Sequence, residues 1–300
     1  MTALFEGGRR DLARRPWRRA LAAVAVLCCL APTAGAADYA GPLVDAHSHL
    51  PGATAIDAYV DAMKRHDVRH VILLGVGGVQ KDDPAWIAAA ARKYPDRVVP
   101  GLPVPDPTAP DAAKRVEAAL AKGKVQALGE VHVRQASRKI DRDPSAPAFL
   151  RVLEVAARHG LPVVIHDELD EAASASLGKA LAAQPKAVIV LAHAGEATPA
   201  RLEPLLARHP NLMVDLSGMH FLRKPALASE TGPLDPQWKA LIERMPDRFL
   251  MGIDVWAPRL FEASTLDRLM TWTRRILGEL KPDVAERVAV KNATAVFKLE

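Results

Sequence analysis

Short apolar runs alternate with longer amphipathic segments through most of the chain, and this rhythm limits the fold more than any single motif. From residue 42 onward, eight runs rich in Val, Ile and Leu are each followed by a segment with helical spacing. The runs are mostly continuous rather than alternating, as expected of parallel strands that are buried on both faces. The apolar runs occupy 43–46, 71–76, 98–104, 125–131, 162–165, 187–192, 212–216 and 249–253. The helical segments occupy 54–65, 84–93, 109–121, 148–158, 177–183, 199–208, 236–244 and 264–278.

Eight strand–helix pairs within about 260 residues match the length and rhythm of a (β/α)8 barrel. We therefore predict an α/β protein whose residues 37–300 form a single-domain (β/α)8 TIM barrel. An open doubly wound sheet is the runner-up, but no glycine-rich phosphate loop follows the first apolar run.

Residues 1–36 have a different composition from the rest. Six arginines precede an apolar run at 20–31, and Pro32-Thr33-Ala34-Gly35-Ala36 follows that run. This order is typical of a secretory signal peptide. Because the apolar run has about twelve residues and a membrane span needs roughly 20, we expect cleavage rather than an uncleaved anchor. The prediction is a periplasmic or secreted protein with no stable membrane anchor, exported by the general route or by a twin-arginine signal at Arg18-Arg19.

The basic charge of the chain belongs largely to this segment. Residues 1–36 hold six Arg against two acids, which is +4 of the net +5. The remaining chain is near neutral, so we expect no nucleic-acid partner. Both cysteines, Cys28 and Cys29, also lie in the segment, so any metal in the mature chain must be held by histidines and carboxylates.

The ten histidines fall into two groups. His66, His159 and His209 follow helical segments, and His70 precedes the second apolar run, so these four are predicted to be structural or solvated. The other six, with two acids, lie at or just beyond the ends of apolar runs. They are His47, His49, Glu130, His132, His166, His193, His220 and Asp254. In a barrel the carboxyl ends of all strands meet at one face, where active sites lie.

His47 and His49 are two residues apart, so on one strand they point to the same side. Together with His166 and Asp254 they supply nitrogen and oxygen ligands for a divalent ion, and His193 is a further ligand or binds the reacting water. Glu130 either bridges two ions or is a core-edge glutamate, so one or two ions are expected. Zinc is the first choice, and Mn, Fe and Co use similar ligands.

This ligand set predicts a hydrolase. A bound metal activates water, Asp254 accepts its proton, and the metal or a protonated His193 polarises the substrate oxygen. The predicted reaction is therefore the hydrolysis of an ester, lactone, amide or phosphoester. A decarboxylase with the same fold and metal is the alternative, and a non-catalytic metal-binding protein is the third.

The order of these residues resembles the amidohydrolase superfamily of metal-dependent barrels, and smaller features resemble its amidohydrolase 2 branch of lactonases and decarboxylases. Those features are Val44-Asp45-Ala46-His47-Ser48-His49, Gly160-Leu161-Pro162-Val163-Val164-Ile165-His166, Leu191-Ala192-His193-Ala194-Gly195, Asn211-Leu212-Met213-Val214-Asp215-Leu216-Ser217-Gly218 and Lys291-Asn292-Ala293-Thr294-Ala295-Val296-Phe297. The resemblance implies that His47, His49, His166 and Asp254 are metal ligands, and His193 a ligand or an activating residue.

Two features depart from that branch. It often has Ser or Thr before the last acid, where this chain has Ile253. Gly129-Glu130 also resembles the TatD-like metal-dependent nucleases, which the near-neutral mature charge and the predicted export do not favour.

Substrate contacts are expected from the loops after the strands. We predict His132, Arg134, His220 and Trp256 as substrate-binding residues. The loop cations Arg134, Arg138, Lys139, Arg142, Arg223 and Lys224 suit a small substrate that carries a carboxylate. The same cations also fit an ordinary solvated loop, and the sequence leaves open whether the protein forms an oligomer.

Overall fold

A computed structural model of the chain describes residues 37–76 and 81–300. The predicted signal peptide at 1–36 lies outside the described residues. Among the helices of the described part, none has the length and apolar character to cross a membrane.

The strands form the predicted parallel barrel. Eight strands pair in the order β1-β2-β3-β4-β6-β7-β8-β9, and the short β5 pairs antiparallel with β4. Their bounds are β1 Leu43–Ser48, β2 Val68–Leu73, β3 Val98–Leu102, β4 Ala127–Gln135, β5 Ile140–Asp141, β6 Val163–Asp167, β7 Ile189–Leu191, β8 Leu212–Asp215 and β9 Phe249–Leu250. All eight predicted strands are confirmed, and the β4–β5 hairpin is an addition that the apolar pattern did not reveal.

Hydrogen bonds from β1 to the segment after β9 bring the two ends of the sheet together. Ala46 N donates to Met251 O at 3.0 Å, Asp254 N to His47 O at 2.8 Å, and His49 N to Val255 O at 2.8 Å. These bonds place Asp254 beside His47 of β1 and beside His49, which directly follows β1.

Each barrel strand is followed by a helix, as the amphipathic segments predicted. The helices are α1 Ala55–Arg65, α2 Asp83–Lys93, α3 Ala112–Leu120, α4 Pro147–His159, α5 Glu171–Ala183, α6 Pro199–Arg208, α7 Pro236–Arg244 and α8 Ala263–Gly278, with α9 Pro282–Glu286 and α10 Asn292–Phe297 at the C-terminal end. The predicted start of α5 at residue 177 was wrong. The helix begins six residues earlier, because the Asp170 side chain accepts a hydrogen bond from Ala173 N at 2.7 Å and caps it.

The core has an outer and an inner part. The outer cluster packs the helices against the strands. The inner cluster joins alternate strand residues, such as Val44 and Ala46 of β1, to Ala293 and Phe297 of α10. Phe297 is fully buried, so α10 closes the amino-terminal end of the barrel and leaves the other end open for a site.

The four histidines predicted to be structural lie at this closed end or at helix ends. His159 is the last residue of α4, and His66 and His209 directly follow α1 and α6. His70 lies on β2 itself, and it lines the same depression as His159 at the closed end of the barrel.

Asp45 is a buried carboxylate that ties three segments together. It accepts hydrogen bonds from Tyr59 Oη at 2.5 Å, from Ser48 Oγ at 2.5 Å and from Ile253 N at 2.7 Å, and a longer one from His47 N at 3.2 Å. Burial raises the pKa of Asp45 to about 6, and the four donors limit that rise. The carboxylate thereby connects β1 to α1 and to the segment that contains Asp254.

Tyr59→Phe should lower the free energy of unfolding by about 1.5–3 kcal/mol, because the buried carboxylate of Asp45 loses one of its four hydrogen-bond donors. Urea unfolding followed by circular dichroism measures the change. Tyr94→Phe is the matched control, because its hydroxyl also donates to an aspartate, Asp57, but at the surface. Its effect should be smaller, and equal losses in the two variants would contradict the structural role given to Asp45.

Candidate metal centre

The carboxylate of Glu130 lies at the centre of five imidazole rings. Glu130 is on β4, only 3% exposed, and points into the open end of the barrel. The distances to its oxygens are 3.0 Å from His166 Nδ1, 3.2 Å from His193 Nε2, 3.5 Å from His49 Nε2, 3.5 Å from His132 Nε2 and 3.8 Å from His47 Nε2. Glu130 is thus part of the buried cluster, and the core-edge alternative that the sequence left open does not describe it.

Gly129 gives β4 the backbone shape that this position needs. Its φ is +146°, and an added Cβ would lie 2.8 Å from the carbonyl oxygen of Val164 on β6. The register of β4 against β6 shifts between Leu128 and Val131. A glycine is therefore required at the residue that precedes the central carboxylate.

His47 of β1 and His49, which directly follows β1, direct their Nε2 atoms at one point. His47 Nδ1 donates to Asp215 Oδ2 at 2.9 Å, and His49 Nδ1 donates to Leu74 O at 2.8 Å. When both imidazoles are neutral, as histidines that bind a metal are, each ring carries only that one proton, so both Nε2 atoms are acceptors, and they lie only 3.1 Å apart. Two facing acceptors repel each other unless a cation lies beside them, so this geometry fits a metal ion.

The electrostatics of the cluster agree with a bound cation. Burial alone would lower the pKa of His47, but the carboxylates of Asp215 and Glu130 outweigh it and raise that pKa to about 10. Burial would raise the pKa of Glu130, yet the nearby histidines, His47 first, hold it well below its ordinary value. The carboxylates therefore favour positive charge at this point, which either a second proton on His47 or a divalent ion supplies.

Asp215, at the end of β8, is the buried residue that the sequence reasoning left without a role. It accepts from His47 Nδ1, from His193 N at 3.0 Å and from Ser217 N at 3.1 Å. It thus orients two predicted ligands, His47 on β1 and His193 just after β7, as carboxylates behind metal-binding histidines do. The sequence did contain a signal for this role, because Asp215 is an acid near the carboxyl end of the apolar run at 212–216.

His193 and Asp254 both adopt left-handed backbone conformations, with φ of 54° and 58°. Such values are uncommon outside glycine and cluster at functional sites. The Nδ1–H of His193 donates to Ser217 O at 2.9 Å, which turns Nε2 toward Glu130. Asp254 Oδ1 lies 3.6 Å from His49 Nε2, and its Oδ2 contacts the guanidinium of Arg223.

All six predicted metal ligands come together within the described residues. Their ligand atoms form three buried triads: His47–His193–Asp254, His47–His49–Glu130 and Glu130–His166–His193. In a fourth group, His166–Glu168–Glu196, only the histidine is buried. Nitrogen and oxygen ligands in this number suit zinc, manganese or a similar divalent ion.

His132 and His220 are neutral histidines beside the cluster. Burial lowers the pKa of each to about 4. His132 Nδ1, His166 Nε2 and His220 Nε2 are buried and have no hydrogen-bond partner within the described part of the chain. These polar atoms are available to a ligand or water in the cavity.

The cluster forms the floor of a cavity of about 580 Å³. His132, His220 and Trp256 line it, together with Arg138 and Arg259. Arg134 is not among the lining residues, because its guanidinium pairs with Asp141 at 3.0 Å and Asp167 at 2.7 Å. A substrate contact by Arg134 stays a prediction, whereas Arg138, in the turn that follows β4, lines the cavity.

Three solved structures have a similar fold at low sequence identity. The 5-carboxyvanillate decarboxylase from Sphingomonas paucimobilis is 16% identical, with a TM-score of 0.59 over 86% of this chain and 99% of that chain. A probable 2-pyrone-4,6-dicarboxylic acid hydrolase from Acinetobacter baumannii is 14% identical, with a TM-score of 0.58 over 86% and 100%. A dihydroxybenzoic acid decarboxylase from Polaromonas sp. JS666, with bound manganese, is 15% identical, with a TM-score of 0.59 over 86% and 97%.

A comparison with curated proteins found no match. The family model described as amidohydrolase matches residues 44–299, which is most of the chain and includes every residue of the cluster. The match confirms the resemblance seen in the sequence: the chain belongs to the amidohydrolase family of metal-dependent enzymes.

Proposed function

We propose that the protein is a hydrolase that uses a two-ion divalent metal centre to cleave an ester, lactone or amide bond of a small carboxylate-bearing substrate. One observation carries the proposal. Glu130 is shared by two ligand triads, one with His47 and His49 and one with His166 and His193. A carboxylate shared between two ligand sets is the arrangement that two-metal hydrolytic sites use.

When bound, the metal lowers the pKa of a coordinated water and polarises the substrate's carbonyl oxygen. Asp254 is the proposed general base. Arg223 occupies its Oδ2, and its Oδ1 faces the ligand cluster. In the proposed reaction the water oxygen bonds to the carbonyl carbon, Oδ1 takes the water's proton, and the same proton passes to the alkoxide or amine as the carbon–oxygen or carbon–nitrogen bond breaks.

The rim charges support a substrate with a carboxylate. Arg138 and Arg259 line the cavity, and neither forms an ion pair with any acid in the described residues. Arginine binds carboxylates through two parallel hydrogen bonds. A substrate carboxylate held at the rim would place its reactive bond over the floor of the cavity.

Zinc is the metal that we propose, since nitrogen and oxygen ligands with an open position suit it. Manganese is the principal competitor, and elemental analysis of the purified protein decides between them. We further propose, from residues 1–36 alone, that the protein is exported to the periplasm or beyond.

A substrate panel in H2¹⁸O tests the reaction. Esters, lactones and anilides, with and without a carboxylate, are compared with hydroxybenzoates. One ¹⁸O atom should appear in the acid product, and the carboxylate-bearing substrates should be preferred. Release of CO2 from a hydroxybenzoate without ¹⁸O in the product would instead support the decarboxylase alternative.

Glu130→Gln should reduce the metal content from two ions per chain to one or none, because the shared charge is lost. Activity should fall by more than about 100-fold, which exceeds the roughly 10–100-fold cost of losing a partner behind the ligands. Metal is counted by mass spectrometry after dialysis. Glu117→Gln is the matched control, since Glu117 lies at the surface against His159. Two retained ions in Glu130→Gln would exclude Glu130 as a bridge.

Asp254→Asn should lower kcat by about 100- to 10,000-fold, the usual contribution of a positioned general base. Steady-state kinetics on the best substrate of the panel measures the effect. Asp247→Asn, at a surface ion pair with Arg287, should leave kcat unchanged. A fully active Asp254→Asn enzyme would remove this residue as the base.

A further inference from the structure

Two large hydrophobic side chains are exposed in the part of the chain that the structure describes. They are Leu222, 45% exposed, and Trp256, 41% exposed. Single exposed apolar residues are ordinary on a protein surface. Here both residues line one place, the cavity above the metal cluster, so their exposure points to the ligand of that cavity.

Each rim residue is joined through the backbone to a buried residue of the floor. Leu222 lies two residues after His220, and its N–H donates to His220 Nδ1 at 3.2 Å. Trp256 lies two residues after Asp254. His220 and Asp254 are 4% and 2% exposed. The chain therefore passes from the buried floor to the apolar rim within two residues on both loops.

The rim also carries positive charge beside the apolar surface. The guanidinium carbon of Arg259 lies 6.0 Å from the centroid of the Trp256 ring, and Arg138 lines the same cavity. A flat indole face next to an arginine accepts hydrocarbon on one side and a carboxylate on the other. The cavity volume, about 580 Å³, lies within the range of small-molecule sites.

We propose that Leu222 and Trp256 form an apolar subsite that binds a hydrocarbon arm of the substrate, remote from the bond that is cleaved. This inference rests on the proposed function and narrows its substrate class to carboxylate-bearing molecules with an alkyl or aryl arm. The side chains act as specificity-determining residues, since they leave water when the arm is bound and take no part in the bond change.

Calorimetric titration of the zinc-saturated protein with acetate, butanoate, hexanoate and octanoate tests the subsite without any turnover. In the wild-type protein the affinity should rise about two- to threefold per methylene, less than complete burial of a methylene provides, because the rim is partly open. In Leu222→Asn/Trp256→Gln the rise should fall below about 1.5-fold per methylene. Both side chains are exposed, so the variant should fold, and thermal melting checks this. The two single substitutions serve as the second set of variants.

Leu120→Asn is the control, since Leu120 lines the depression at the closed end of the barrel, and its chain-length dependence should equal that of the wild type. Octanoate that binds no tighter than acetate, or an unchanged dependence in the double variant, would overturn the subsite. A change of oligomeric state in the double variant by light scattering, with the chain-length dependence retained, would assign the patch to contacts between copies and also overturn it.

The outcome is separable from that of the proposed function. A substrate panel without hydrolysis, together with a chain-length dependence that the double variant loses, would refute the hydrolase and keep the subsite. Hydrolysis without any chain-length dependence would do the reverse.

Discussion

The structure depends on the balance of charge around one buried carboxylate. Glu130 lies among five imidazoles that are almost free of solvent contact, where electrostatic interactions are far stronger than in water. Without an added cation, a carboxylate and a set of inward-facing nitrogen lone pairs would share a small volume at high cost. The cluster is therefore stable as a site for positive charge, and its chemistry follows from that requirement.

The residues behind the cluster decide which atom each ring presents. Asp215 accepts a hydrogen bond from His47 Nδ1–H and Leu74 O accepts one from His49 Nδ1–H. Ser217 O accepts one from His193 Nδ1–H. None of these partners needs to touch a substrate. Asp45 accepts a hydrogen bond from Ile253 N and so fixes the position of the backbone after β9 relative to β1. Buried polar contacts between segments distant in sequence thus fix the orientation of the rings in the site.

The floor and the rim of the cavity are built by different parts of the fold. The floor consists of residues at or near the ends of strands, which the barrel holds rigidly, and active sites of such barrels lie at this end. The rim consists of loop residues, Leu222, Trp256, Arg138 and Arg259 among them, and loops vary without disturbing the barrel. Substrate choice is therefore expected to reside in the rim, while the floor sets the reaction class.

The sequence by itself determined the barrel and nearly all of its floor. Eight buried parallel strands leave a periodic apolar record, and a histidine or acid at the carboxyl end of such a run is expected at the open face. His47, His49, His166, His193 and Asp254 were predicted as a cluster in this way, and Glu130 was left with two possible roles. Only the tertiary structure decided that Glu130 is shared by two triads, that Asp215 and Asp45 support the cluster, and that Arg134 pairs with Asp167 while Arg138 reaches the cavity. These facts depend on distances between strands and on the directions of loop side chains. Local periodicity carries no information about either, because it records which residues are buried and not which residues meet.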